Sequence, residues 1–414
     1  MSKKDGQRCF TPDPNIEAGI GLLGIPEWQA IQGFSETCIF TNPSTRAMME
    51  EAITFKPGDT WDTRFNGVVD DYAKLKSDCQ LFETNVKKEM LEVAHDLCDY
   101  ATLCKTVYTR LSTWMYDFPV GGVDNNNNFA KKFETLANGE WGKKAGISPD
   151  AEKLQGRFVK FLGQLEREAK TKKERVDKVS SNLEIFETSL KTRESAFNMH
   201  KTNFDASIKT YQVKLDVLDG KIKQLKIDIQ REEKADYDKI MVLKTAPVYL
   251  VIPILGPFIM ASILLSVGIA TGVLRKQLDG IIAQSTELQS TMGKQVTQMA
   301  QTKTVAKLVT ETLDDIKEVK PLIRNLSLGW GALASEVGAV VKYVSGSLTN
   351  AEKAEWDDSA MDLESATSQW GNVYKKADRL RQFSSIKCVK TIDEAILSAQ
   401  ESNREIVKQL AATA

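Results

Sequence analysis

Apolar side chains recur at three- and four-residue steps along most of this chain, as expected of amphipathic helices. Over about 68–114 the steps continue without an internal proline, which predicts one long helix. A second run, over 149–247, contains no helix breaker between its terminal prolines other than isolated glycines. A third run, over 278–321, repeats the same spacing. The chain is therefore predicted to be almost wholly helical.

The second run carries a coiled-coil seam. Apolar residues stand seven apart over eight consecutive heptads, at Val176, Leu183, Leu190, Phe197, Phe204, Tyr211, Leu218 and Leu225. The companion seam position changes sides between residues 193 and 208. A helix covering most of 151–246 would exceed ~100 Å at ~1.5 Å per residue, far longer than a compact domain is wide. We therefore expect the second and third runs to pair as an antiparallel stalk.

These patterns predict an all-α fold, an elongated helical bundle whose long antiparallel coiled-coil stalk ends in a hydrophobic hairpin tip. Residues 1–64 contain five prolines, so we expect an irregular segment with short helices only, packed on the body. The other predicted parts are a helical-bundle body at 65–150 and 321–414, the stalk at 151–244 and 275–320, and the tip at 245–274. Body helices are expected near 322–346, 350–383 and 390–411, with Trp330, Trp356 and Trp370 as core anchors.

The predicted tip is the most informative feature of the sequence. Thirty residues, Thr245 to Leu274, carry no charge at all and are bracketed by Lys244 and Arg275. Three prolines and a glycine interrupt the first half, so we expect a bent lead-in followed by a helix at about Phe258–Leu274. That helix would rise about 25 Å, somewhat short of the ~30 Å hydrocarbon core of a bilayer.

Two interpretations of the tip stay open. It is either a conditionally exposed element that enters a membrane, or a constitutive anchor or buried core hairpin. The predicted arms would carry it away from the body, where an apolar patch must be covered or find lipid, which favours the first interpretation. The expected membrane-binding residues are Val248, Tyr249, Leu250, Val251, Ile252, Ile254, Leu255, Phe258, Ile259, Met260, Ile263, Leu264, Leu265, Val267, Ile269, Val273 and Leu274.

A G-x-x-x-G pattern lies inside the predicted tip helix. Gly268 and Gly272 form it, and small residues at such spacing let helices approach closely in lipid. The pattern fits packing against a neighbouring subunit's tip, or against the lead-in strand or arm of the same chain.

Composition and motifs exclude several other functions. The 55 Lys plus Arg nearly cancel the 56 Asp plus Glu, so no basic excess drives nucleic-acid binding. The sequence holds none of the phosphate-binding, zinc-protease or nucleophile-elbow motifs, so we predict that it is not an enzyme and needs no cofactor.

The cysteines and histidines offer little further chemistry. Six cysteines are scattered without a C-x-x-C pair, which predicts free thiols and no metal site; Cys98 and Cys104, six apart on a helix, would point apart. His200 falls on the seam beside Arg193, either as a pH trigger or as a seam histidine without a switching role. The amino terminus lacks the apolar core and cleavage site of a signal peptide, which predicts synthesis as a soluble protein.

Together, the heptad arms, the uncharged hairpin and a body made from both chain ends resemble the cytolysin A-type α-helical pore-forming toxins. The order and length of the elements look most like the A component of the xenorhabdolysin-type binary toxins. The resemblance spans roughly 65–385, and Val248 to Leu274 match the position of the hydrophobic hairpin of that family.

The resemblance implies a soluble monomer, released without a signal peptide by lysis or an unconventional route, that then binds a target-cell bilayer. It further implies a B-type partner subunit and a hetero-oligomeric ring-shaped pore. Two alternatives stay open on the residues: a structural coiled-coil tether anchored permanently by 245–274, and a cytolysin that acts as a single component.

Overall fold

The computed structural model describes residues 11–20, 26–52, 58, 60–117, 149–222, 224–225, 228, 248–253, 260–265, 273–292, 294–344, 363–383 and 387–389. Its helices are α1 Pro14–Ile20, α2 Pro26–Thr41, α3 Arg46–Ala52, α4 Phe65–Phe82, α5 Lys88–Asp117, α6 Pro149–Ile208, α7 at 212–222, α8 Val273–Met292, α9 Lys294–Val344 and α10 Leu363–Phe383. Its strands are β1 Val248–Pro253, β2 Met260–Leu265 and β3 Lys387–Val389. The predicted all-α fold class is confirmed, with one small sheet added.

The chain forms two compact units. The first comprises Met1–Leu22, Glu89–Ser180 and Pro321–Arg381, and the second comprises Leu23–Lys88, Ser181–Lys320 and Gln382–Ala414. α6 and α9 each contribute to both units, and α4 belongs to the second; the predicted domain limits stay a prediction. A helix longer than a compact core is wide cannot stay within one core, so the chain divides in the middle of its longest helices.

The amino-terminal segment is more ordered than its prolines suggest. It was expected to hold short helices only, yet α2 is a 16-residue helix with a buried apolar face that includes Trp28, Ile31 and Phe34. Pro14 and Pro26 each occupy the first position of a helix. A proline is favoured there because its missing N–H would have no partner in the helix anyway.

The long helix predicted at 68–114 is present with one irregularity. Between α4 and α5 the chain forms a π-helical turn, Glu83–Lys87, so the rod continues with a single wider turn. The heptad seam of the next helix is also confirmed where the structure describes it, since Val176, Leu183 and Leu190 are all fully buried.

Two predicted helix limits were wrong. The helix that begins at Pro149 does not run unbroken towards Pro247, because α6 ends at Ile208 in a 3₁₀ turn, Lys209–Tyr211, before α7 begins. In the other direction, Pro321 was expected to end the returning arm but lies inside α9. Val319 and Ile323 on either side of it are fully buried, and that packing offsets the lost backbone hydrogen bond.

Aromatic residues organise the core of the first unit. The ring of Tyr100 lies edge-on to Trp330 at 5.0 Å and to Trp370 at 5.2 Å, and its hydroxyl donates to the carbonyl oxygen of Leu165 at 3.3 Å. Both tryptophans are fully buried, as predicted, whereas Trp356 lies outside the described residues.

The second unit has its own aromatic core. Phe82 contacts Phe186 at 4.8 Å and Trp28 at 5.9 Å, which joins α4 to α6 and to α2. Tyr72 lies 5.2 Å from Phe197, further along the same pair of helices. This core therefore fixes α2 and α4 on the half of α6 that leads to the apolar segment.

Candidate membrane-binding hairpin

The uncharged segment contains a β-hairpin rather than the expected helix. β1 and β2 pair antiparallel from Val248 opposite Leu265 to Pro253 opposite Met260. The prediction of a helix at 258–274 was therefore wrong over 260–265. With no charged residue and few polar ones to mark a period, such a segment does not distinguish a strand from a buried helix. The Gly256-Pro257 pair between the strands is typical of a chain reversal.

Most of the predicted membrane-binding residues can now be placed. β1 contains Val248, Tyr249, Leu250, Val251 and Ile252, and β2 contains Met260, Ile263, Leu264 and Leu265. Val273 and Leu274 begin α8 rather than ending a tip helix. The others, Ile254, Leu255, Phe258, Ile259, Val267 and Ile269, lie outside the described residues, and so do the predicted helix-packing glycines, Gly268 and Gly272.

Three other parts of the second unit adjoin the hairpin. β3 pairs parallel with β1, Val248 opposite Lys387 and Leu250 opposite Val389, so β1 is the central strand of a three-stranded sheet. α2 lies in contact with β2 and with β3, and α8 lies in contact with β1. The apolar segment is thus held by its own chain.

Helix α2 is fixed on α4 by polar contacts as well as by Trp28. Ser35 Oγ donates to the carbonyl oxygen of Cys79 at 3.0 Å. Lys87 Nζ lies 2.5 Å from Glu36 Oε1 and 2.8 Å from Glu83 Oε2, so one buried ammonium joins α2 to the π-helical turn.

The charges of this cluster are perturbed by burial. Burial lowers the pKa of Lys87, but the carboxylates of Glu83 and Glu36 outweigh it and the net pKa is raised. Burial also raises the pKa of Glu83, although Lys87 opposes that shift. Two carboxylates share one ammonium here, so the cluster is stable only while Lys87 is present.

The chain reverses direction between α6 and α7. As residue numbers rise along α6, those of its partners on α9 fall. Lys320 donates to Glu187 at 2.8 Å, and Thr310 donates to Glu194 at 2.7 Å. Beyond the 3₁₀ turn the order is opposite: Lys303 donates to Gln212 at 2.5 Å, and Lys307 bonds to Asp219. α7 therefore runs along α9 in the same direction as α9.

α8 then pairs antiparallel with α7 and with the chain that follows it as far as Asp228; we call these two segments the α7–α8 arm. Lys221 donates to Gln284 at 2.6 Å and Gln277 donates to Asp228 at 3.4 Å. Their shared interface is apolar, with Leu218, Ile222, Leu225, Ile281 and Leu288 buried. The hairpin is thus the end of a short antiparallel arm that folds back along α9.

α4 and α6 share a cluster of charged and polar side chains shortly before the chain reverses direction. Asp71 accepts from His200 Nε2 at 3.0 Å and from Arg193 at 3.2 Å, and Arg193 also reaches Asp78 at 3.2 Å. Burial raises the pKa of Asp78 against the effect of Arg193. The seam histidine is therefore buried and hydrogen-bonded.

A metal site and a membrane-spanning helix each place requirements on the described residues. None of their histidines, cysteines and acids form a group of three or more that could hold a metal ion. Cys38, Cys79, Cys98 and Cys104 are buried free thiols, as predicted for these four. Within the same residues, no helix is both long enough and apolar enough to span a bilayer.

Sequence reasoning missed three features of this site. It did not foresee β3, because nothing local in Lys387–Val389 signals pairing with a strand about 140 residues earlier. It assigned α2 no role, because prolines dominate the segment around it. The reversal did leave a signal, since the companion seam position changes sides between 193 and 208, directly before the 3₁₀ turn at Lys209–Tyr211.

Comparison with known proteins gives a consistent answer on the fold. No family model matches the chain, and no curated protein matches its sequence. The soluble SmhA component of the tripartite alpha-pore forming toxin Smh of Serratia marcescens is similar in structure, with a TM-score of 0.57, 12% identity, and coverage of 92% of this chain and 98% of that one. The HblL1 toxin component of Bacillus cereus gives 0.57, 12%, 92% and 99% for the same quantities.

Motility Associated Killing Factor B of Vibrio cholerae is similar as well, with a TM-score of 0.57, 11% identity, and coverage of 93% of this chain and 98% of that one. At these identities the likeness is one of fold. The chain thus has the fold of α-pore-forming toxin components, and the predicted resemblance to the cytolysin A-type toxins is confirmed at that level. The narrower resemblance to xenorhabdolysin A components stays a prediction.

Proposed function

We propose that this chain is the membrane-binding component of an α-pore-forming cytotoxin. A soluble monomer docks or inserts its apolar hairpin into a target-cell bilayer and assembles with a B-type partner subunit into a hetero-oligomeric pore. The observation that supports this most is that the uncharged segment Thr245–Leu274 contains a hairpin, Val248–Pro253 paired with Met260–Leu265, that contacts α2 and β3 of the same chain. The shared fold of multi-component toxins supports the partner.

The energetic logic is one of exchange. In water, the hairpin contacts α2, β3 and α8 of its own chain, and in a bilayer it would gain about 0.8 kcal/mol for each CH₂ group buried. A six-residue strand extends only about 20 Å, against a hydrocarbon thickness of ~30 Å. The hairpin as folded therefore suits docking at the surface, and crossing requires a longer element.

The heptads supply such an element. The seam that includes Leu190 and Phe197 continues in register through Tyr211 to Leu218, although the helix is broken at Lys209–Tyr211. A sequence that keeps its register across a break encodes the unbroken helix too. We propose that contact with lipid straightens α6 and α7 into one helix and swings the α7–α8 arm with the hairpin away from α9.

Liposome flotation tests the proposal. Leu250 and Ile263 are opposite one another in the hairpin, so Leu250→Asp plus Ile263→Asp puts two charges on the proposed membrane contact. An aspartate costs roughly 2.5–3.5 kcal/mol at the centre of a bilayer, so we expect binding to fall by a factor of roughly a hundred or more. The matched control, Leu81→Asp plus Leu328→Asp, adds the same charges at exposed leucines and should float like the native chain.

The outcomes separate the alternatives. The proposal is supported if the native protein, purified without detergent, floats with liposomes and the hairpin double mutant does not. Native protein that stays behind in every lipid mixture contradicts it, and protein that needs detergent throughout purification indicates a permanently anchored tether. Dye release by the native chain alone, without a second subunit, indicates a single-component cytolysin.

A further inference from the structure

Two cysteine side chains meet between α2 and α4. Cys38, on α2, and Cys79, on α4, are both buried free thiols. Their thiol groups are hydrogen-bonded to one another, so two sulfur atoms from different helices lie in contact. The two residues are about forty positions apart in the sequence, so the tertiary fold, and not the local chain, brings them together.

Burial alone does not produce such a pair, as Cys104 shows. Its thiol is as fully buried as that of Cys79. The hydrogen bonds of Cys104, however, join it to Tyr108 and Tyr100 of its own helix, α5, and a tyrosine cannot form a disulfide. Cys104 therefore matches Cys79 in burial and differs from it in the chemistry of its neighbours, which makes it the natural control.

Neighbouring contacts hold the two thiols in register. One turn before Cys38 along α2, Ser35 Oγ donates to the carbonyl oxygen of Cys79 itself at 3.0 Å. Two turns further towards the start of α2, the ring of Trp28 lies 5.9 Å from that of Phe82. Residues 28, 35 and 38 thus form one face of α2 that is fixed on α4. A disulfide forms without strain only where two backbones are close, and these contacts keep them close.

We propose that Cys38 and Cys79 are a redox site that forms a disulfide once the protein leaves a reducing compartment. Cytosolic thiols are kept reduced, whereas adjacent thiols form disulfides under oxidising conditions. The oxidant is a small-molecule disulfide. One protein thiolate attacks it and releases one small thiol, and the second protein thiolate attacks the mixed disulfide and releases another. The protein loses two electrons and two protons, and the oxidant takes them up as two thiols.

Burial controls the rate of this reaction. Burial raises the pKa of the Cys79 thiol, and the neighbouring Cys38 raises it further, so the reactive thiolate is scarce in the folded protein. The oxidant also needs access to a sulfur atom that is shielded from water. The exchange therefore proceeds when α2 opens transiently from α4, and the bond then keeps α2 in place after it closes again.

The disulfide would fasten α2 to α4 without fastening the hairpin to α2. The hairpin meets α2 through β2, and neither cysteine lies in the hairpin. Thr37, a buried polar residue of α2, donates to the carbonyl oxygen of Gly33 in its own helix at 2.6 Å, so it keeps this bond when the hairpin departs. We therefore expect α2 to stay on α4 while the hairpin binds lipid, a step that rests on the proposed function.

Disulfide mapping tests the site in the native full-length chain. The protein is incubated with oxidised glutathione, its remaining thiols are blocked, and its proteolytic peptides are analysed by mass spectrometry without reduction. We expect a peptide pair that links Cys38 to Cys79 in most molecules and disappears with dithiothreitol. Cys79→Ala should abolish the link, and Cys104→Ala should leave it unchanged. A link to a different cysteine, or glutathione attached to both residues without a link, overturns the proposal whether or not the variants fold.

Hydrogen exchange measures what the bond does to α2. A cross-link that closes a loop of about forty residues removes most open conformations, so the amides of α2 should exchange roughly tenfold or more slowly after oxidation. The same slowing is expected in Cys104→Ala and none in Cys79→Ala. Equal exchange in oxidised and reduced native protein would show that the bond does not fasten α2.

Flotation with liposomes separates this inference from the proposed function. Oxidised and reduced native protein should float to the same extent, because the disulfide does not hold the hairpin. If oxidation lowers flotation roughly tenfold, α2 has to leave α4 before the hairpin is released, and the inferred fastening is wrong in favour of a lock. If neither form floats, the proposed function fails while a mapped disulfide between Cys38 and Cys79 stands.

Discussion

Within the second unit, the paired parts of α6 and α9 differ from the hairpin in how their apolar residues are covered. α6 and α9 bury a heptad seam and are joined by ion pairs, such as Lys320 with Glu187, so their apolar residues are covered by their own packing in water. The hairpin carries no charge and depends on α2, β3 and α8 for its cover. The difference indicates that the helix pair stays folded while the hairpin leaves its contacts with α2, β3 and α8 and binds lipid.

Blocking the straightening step should have the largest effect. Gln212→Pro puts proline at the first position of α7, where it is tolerated, but in the interior of a straightened helix it costs about 3 kcal/mol. We expect the soluble protein to keep its thermal stability, and the fraction retained on liposomes after a high-pH wash to fall roughly a hundredfold.

Gln212→Ala is the matched control, because it removes the same side-chain contact with Lys303 and leaves the helix free to straighten. It should behave like the native chain. Equal retention of the proline and alanine variants would show that the break at Lys209–Tyr211 persists in the membrane-bound form.

The cover over the hairpin should be the next most sensitive feature. Lys87→Met leaves the carboxylates of Glu36 and Glu83 facing each other without a counter-ion in a mostly buried cluster. We expect the free energy of unfolding to fall by about 2–3 kcal/mol in chemical denaturation. Lys191→Met removes an exposed lysine from its pair with Glu187 and should cost less than about 0.5 kcal/mol. Similar losses for both variants would contradict a special role for the α2 cluster.

The smallest effect concerns the helix pair and depends on pH. Hydrogen bonds from Lys191 and Lys320 hold the pKa of Glu187 below its ordinary value of 4.5. Its contribution is therefore complete above that value and is lost as the pH falls through the lower pKa of the folded state. Glu187→Gln should reduce the free energy of unfolding by about 0.5–1 kcal/mol near neutral pH, and this difference should disappear at a pH below the folded-state pKa, as measured by urea denaturation at each pH.

The same contrast explains which parts of the structure the sequence could predict. Heptads are local and repeated, so the seam at Val176, Leu183 and Leu190 and the anchors Trp330 and Trp370 were found correctly. The predictions made from Pro26 and Pro321 were wrong, because the effect of a proline depends on its position in a helix and on the packing around it.

The position of the hairpin could be predicted from the sequence, but its secondary structure could not. Absence of charge marks Thr245–Leu274 at once, yet its few polar residues form no period that would distinguish a strand from a helix. The partners that complete the site, α2 and β3, are far away in the chain and are brought to it only by the tertiary fold.

The central claim is that the hairpin enters lipid, and depth-dependent quenching measures that directly. Ile263→Cys, in β2, carries an environment-sensitive fluorophore, and Leu328→Cys, on an exposed position of α9, carries the same label as a reference. We predict that on liposomes the label at 263 shifts to the blue and is quenched by quenchers attached to lipid chains, while the label at 328 responds only to aqueous iodide. A label at 263 that stays accessible to iodide while the protein is bound to liposomes would contradict the account.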